Sequence, residues 1–238
     1  MISWFARRPI RSEIPRLKAR GTHKTTKKVD ISDLTPEVLP YLGQAAYLEL
    51  TLFESLAGAV TTAPNLAARE GLSAAAGRAL SKHHGLINEI RRRGGEPADE
   101  MAPFAPALDR YRQQITGADW HETLLSCYLA GGLLEDFFIR LSDGLPGVVG
   151  PRAAQLLGEH GGTEVLVHEL KAAIAADPTL GSRLAMWGRR LVGDTLLIAR
   201  SAMPLSALEH VEQSRIEPVF TELIAAHTRR MDGLGLTA

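Results

Sequence analysis

The sequence predicts an all-α chain: a four-helix bundle with two additional C-terminal helices. Three observations predict it. Apolar residues recur at helical spacing through six long segments. Stretches that alternate with the period of a strand are few, and hairpin signals are scarce. The first four long segments fall into two pairs, each joined by a short turn and separated by a longer connection.

The elements follow in chain order. Residues 1–33 carry no apolar periodicity and read as a basic arm, with residues 34–238 as the helical domain. Thr35 followed by Pro36 is a helix-start signature, cap then first helical position. From Glu37 to about Thr62 nearly every side is apolar, as in a helix at the centre of a bundle, until Pro64-Asn65 breaks it. A second helix spans 66–94 and ends at Gly94-Gly95 after Arg91-Arg92-Arg93, cations where a helix C-terminus favours them. A proline-rich connection follows, with a short helix at 106–116. The third long helix runs from Asp119 to about Asp143, and the fourth over 151–176, closed by Asp177-Pro178. Gly161-Gly162 lies inside this fourth segment, where each glycine costs roughly 1 kcal/mol against alanine, and marks a kink, a close approach or space for a ligand. Two more helices cover about 180–203 and 205–231, the last with Pro218 placed to kink or split it.

Composition narrows the function classes. The 238 residues hold 27 basic and 27 acidic side chains, so a uniformly basic nucleic-acid coat is excluded. The balance hides an asymmetry: residues 1–28 contain nine Lys/Arg and only Glu13, a net +8, and residues 29–238 carry −8. Such an arm can reach for phosphate or lie back on its own acidic body. A single cysteine, Cys127, excludes a disulfide framework and a cysteine-rich zinc module, and on a packed helix it reads as a core residue. No apolar run is long enough to span a membrane and no secretory leader is recognisable, so the expected location is cytoplasmic.

Several ionisable residues fall on helix faces that should be buried. Glu49 shares a face with Ala45, Leu52 and Leu56; Glu54 lies beside Tyr47 and Ala57; His83 lies with Ala76, Leu80 and Ile87; Glu135 lies among Tyr128, Gly131 and Phe138. Glu122 stands near the start of helix three and Glu159 in helix four, beside a His160, Glu164, His168 stripe that reads as solvated. Buried carboxylates and imidazoles need a partner or a metal. Carboxylate-plus-histidine sets on facing helices hold iron or manganese in ferritin-like bundles, whereas the plainer reading is a network of internal ion pairs. Ordinary di-iron bundles carry Glu-x-x-His on two helices. This chain contains neither Glu-x-x-His nor Asp-x-x-His, and it lacks a glycine-rich phosphate loop, Gly-x-Ser-x-Gly and His-Glu-x-x-His.

The segment Leu48-Glu49-Leu50-Thr51-Leu52-Phe53-Glu54-Ser55-Leu56-Ala57 resembles the first helix of actinobacterial ferritin-like proteins grouped with the tRNA 2-methylthio-N6-isopentenyladenosine hydroxylase (MiaE-like) family. The resemblance continues in Met101-Ala102-Pro103-Phe104, Asp119-Trp120, Asp136-Phe137-Phe138, Ala172 to Pro178 and Arg183 to Gly193, over about residues 36–200. It implies a ferritin-like bundle and, in catalytic members, a non-haem di-iron centre that activates O2. Carried over by position, Glu49 or Glu54 is the helix-one carboxylate, His83 the helix-two imidazole and Glu159 the helix-four carboxylate. Leu80, Gly131 and Gly162 stand where further ligands would be expected.

Three readings remain open. In the first, the di-iron site is incomplete, and the interior is reused as a metal-free or weakly metal-binding pocket for a small molecule. In the second, the chain is an active di-iron hydroxylase with rearranged ligands drawn from Glu49, Glu54, His83, Glu122, Glu135 and Glu159, and iron as its cofactor. In the third, it is a non-catalytic RNA-binding module that grips tRNA through residues 1–28. Arg190, four residues before Asp194, either stabilises its own helix or reaches inward to neutralise Glu135 or Glu159 in place of a metal. A homodimer through an apolar helix face is a further expectation.

Overall fold

A computed structural model of the chain describes residues 34–159, 161–203 and 213–237. Regular structure among the described residues is helical. Helix α1 (Val38–Thr61) and helix α2 (Leu66–Arg92) form the first hairpin and pack along each other's length. Asn65 caps α2, its side chain accepting from the Ala68 N–H at 2.9 Å. The start of α1 differs from the expectation. Thr35 is not its cap but donates its hydroxyl to the Leu141 carbonyl at 2.9 Å, and the helix begins after Glu37. A tertiary acceptor has taken the hydroxyl that sequence signals assign to a local cap.

Two short helices, α3 (Pro97–Met101) and α4 (Ala105–Ile115), make the long connection. The third bundle helix is one continuous rod in three parts: α5 (Trp120–Ser126), a π-helical turn over Cys127–Gly131, and α6 (Gly132–Ser142). Asp119 caps it by accepting from the Glu122 N–H. The π turn widens the rod at mid-bundle, and Arg230 donates to the Gly132 carbonyl at 3.2 Å while pairing with Asp136 at 2.8 Å. The fourth bundle helix is not continuous as expected. It divides into α7 (Val149–Leu157) and α8 (Thr163–Ala176), because Gly161 (φ 143°) and Gly162 (φ 95°) adopt backbone that only glycine takes without strain. Gly162 also passes so close to α2 that a Cβ would meet Arg78 Nε at 2.7 Å.

Two further helices lie against the bundle, as expected. Helix α9 (Pro178–Ser201) starts at a capping Asp177, and helix α10 (Gln213–Gly233) runs through Pro218. Among the described residues no helix is long and apolar enough to cross a membrane. The interior holds two apolar clusters. One joins Tyr41, Leu42, Leu86, Phe137 and Leu141; the other joins Leu56, Leu72, Leu124, Leu166 and Leu184. Between them along α1, α2 and the third rod lies a polar layer.

Candidate functional site

The polar layer is built by helical register. On α2 the buried positions Leu72, Ala75, Ala79, Lys82, Leu86 and Glu89 form one stripe, and Lys82 is the charged residue at its middle. Lys82 Nζ lies 2.6 Å from Glu135 Oε1 on α6, with the two side chains only 9% and 19% exposed. Glu49 of α1 completes the group. It is fully buried, and neither carboxyl oxygen has a hydrogen-bond partner of ordinary geometry. Burial, reinforced by the negative Glu135 and opposed by Lys82, pushes the Glu49 carboxyl well above the usual carboxylate range. Burial thus favours the protonated form of Glu49 beside the Lys82–Glu135 contact.

His83, beside Lys82, donates its Nδ1–H to the Ala46 carbonyl at 2.8 Å, which fixes the tautomer. Burial lowers its pKa, partly offset by that hydrogen bond. Lys82 and Glu135 stand in the wall of a cavity of about 80 Å³, which Arg78, Cys127, Glu159, Gly161, Gly162 and Thr163 also line. The α7–α8 break forms one side of it. Burial pushes the Cys127 thiol up to about 12, so it stays protonated and unreactive, as a core cysteine does.

The other candidates sit elsewhere. Glu54 is on the surface, paired with Arg112 at 2.5 Å, because the face it shares with Tyr47 turns towards α4 and solvent. Glu122 serves the start of the third rod: its Oε2 accepts from the Ala118 N–H at 2.8 Å, and Arg183 lies 3.5 Å from its Oε1. Glu159 is exposed on the cavity's rim. Arg190 does not reach inward. Its side chain is 60% exposed, lies 3.7 Å from Asp194 and covers the Trp187 ring, since its position on α9 faces out. The cation against Glu135 is Lys82, which sequence reasoning missed although its place in the heptad stripe between Ala79 and Leu86 was visible. Glu164 and His168 are exposed, in keeping with a solvated stripe. His160 and the arm at residues 1–28 lie outside the described residues.

These positions bear on whether a di-iron pair fits. Such a pair takes a carboxylate from each of two helices and a carboxylate–histidine set from each of the other two. Among the described residues no three His, Cys, Asp or Glu side chains converge as metal ligands. Lys82 pairs with the Glu135 carboxylate, and the His83 Nδ1–H bond to a backbone carbonyl leaves the Nε2 lone pair as that ring's one donor to a metal.

Long helices in two pairs separated by a longer connection are the arrangement of a ferritin-like bundle. The family model described as the ferritin-like domain of actinomycetes matches residues 34–209, and the chain belongs to that family. No curated protein matches the chain.

Proposed function

We propose that this is a ferritin-like small-molecule-binding protein in which Lys82, Glu135 and Glu49 fill the level of the bundle where relatives of the hydroxylase type would hold metal. The cavity beside Lys82 is its ligand pocket. The observation that carries this reading is the 2.6 Å contact between Lys82 and Glu135 next to the unpartnered Glu49. Lys82 already supplies a cationic partner to the Glu135 carboxylate, the role a metal would otherwise play there. The pocket offers donors from Lys82 and Arg78 and acceptors from Glu135 and Glu159, a mixture suited to a small polar ligand. Lys82 donates to Glu135 in the wall of the cavity, so a ligand there meets an already oriented ion pair.

The second reading, a non-haem di-iron hydroxylase of the tRNA-modifying type, is favoured by the orphaned oxygens of Glu49, which a cation would satisfy. Anaerobic loading with Fe(II) followed by elemental analysis separates the two. The proposed function expects no stoichiometric iron, and about two irons per chain would overturn it. Native mass spectrometry of the purified protein supplies the other half of the test. A co-purifying small molecule that is lost in Lys82→Met supports the pocket, and retention of that molecule by the variant counts against Lys82 as its contact.

A further inference from the structure

A second chamber lies on the other side of Leu52 and Cys127 from Lys82. It is enclosed by α1, α4 and the third rod, has a volume of about 60 Å³, and is walled by Leu48, Leu52, Ile115 and Leu134. Cys127 and Gly131 of the π turn form part of its wall, so the widened rod is what leaves the space open. Ser55, Arg112, Thr116 and Thr123 line both this chamber and an open cleft beside Asp119 and Trp120, which gives it access to solvent.

The hydroxyls in its wall are oriented by their own helices. Thr51 donates to the Leu48 carbonyl at 2.7 Å, Ser55 to the Thr51 carbonyl at 2.9 Å, and Thr123 to the Asp119 carbonyl at 3.0 Å. Each of these protons is spent on the backbone, so the oxygens present lone pairs only. Ser126 is the reverse case: its oxygen accepts from Trp187 Nε1 at 2.9 Å and its own proton is left to give. Thr116, whose proton goes to the Arg112 carbonyl at 2.8 Å, adds a fourth such acceptor, and the Arg112 guanidinium at the rim is a second donor beside Ser126.

We propose that this chamber is a binding site for a small aliphatic molecule bearing a hydroxyl or amide group, its apolar part against the leucines and its polar group donating to Thr51, Ser55 or Thr123 while accepting from Ser126. A cavity of about 150 Å³ takes benzene, so this one takes roughly two to three heavy atoms, with the rest of the ligand reaching into the cleft. The site stands apart from the Lys82 pocket and does not depend on it.

Methyl NMR with 2-propanol and acetone tests this. The two probes have the same heavy atoms, but only the alcohol can donate. Saturable shifts confined to the methyls of Leu48, Leu52, Ile115 and Leu134 are expected, with 2-propanol binding about 3- to 10-fold more tightly than acetone. Thr51→Val and Thr123→Val, which remove acceptors while keeping shape, should bring the two probes together. Equal affinity for both probes, shifts at other methyls, no saturation, or no effect of the valine variants would each overturn the proposal.

Discussion

Replacing Lys82 by methionine removes the cation paired with Glu135 while keeping the length and apolar packing of the side chain. Lys82 and Glu135 expose 9% and 19% of their side chains, so the pair is desolvated but not sealed. Removing one partner of a fully buried pair costs about 3–5 kcal/mol, and the residual exposure of Glu135 places the expected loss at the lower edge, about 2–3 kcal/mol. For a chain of this size that is a fall in Tm of roughly 4–12 °C. The companion variant is Glu135→Leu, and the decisive one is the double variant Lys82→Met/Glu135→Leu. Taking away both charges leaves no orphan, so the double variant should cost less than Lys82→Met alone. Urea denaturation followed by far-UV circular dichroism on all four proteins closes the cycle. If Lys82→Met costs under about 0.5 kcal/mol, the ordinary range of a surface change, the pair is not a buried one. If the two single costs simply add, Lys82 and Glu135 are not coupled and the argument for an internal charge substitute fails.

Other outcomes follow from the same layer and its neighbours. Glu49 has a raised pKa, so the folded state holds a proton that the unfolded chain releases above the ordinary carboxylate value, and stability declines as pH rises from there towards the folded pKa. Glu49→Gln should therefore raise Tm, by an increment that grows with pH over that window, and an increment flat with pH would refute the assignment. His227 is buried with both ring nitrogens lacking a partner of ordinary geometry, and burial lowers its pKa, only partly relieved by the Gly188 backbone. Its folded pKa lies below the unfolded one, so stability falls as pH drops through about 6.5, and His227→Leu should flatten that acid limb in thermal melts across pH. Gly162→Ala should cost about 1–3 kcal/mol in urea denaturation, because φ is 95° and the new Cβ meets Arg78 Nε at 2.7 Å and Ala75 Cα at 3.2 Å. A neutral result would mean that the α7–α8 break can rearrange.

The sequence alone determined the helical rods and their order. Periodic apolar faces, the helix start at Asp119 and the stop at Asp177-Pro178 act within a few residues, so they are legible locally. It also brought Glu49, His83 and Glu135 forward, because a charge on an apolar face stands out without knowledge of its neighbours. Only the tertiary structure decided what those charges meet. Thr35 turned from a cap to a contact with Leu141, Arg190 stayed on the surface, and Lys82 took the place opposite Glu135. Gly161-Gly162 split a helix that periodicity alone would have carried through, since its backbone strain is set by the approach to α2. The π turn at Cys127–Gly131 has no signature in composition, yet it opens the space on which both cavities border. Partners far apart in the chain are chosen by packing, and packing is what a one-dimensional pattern does not contain.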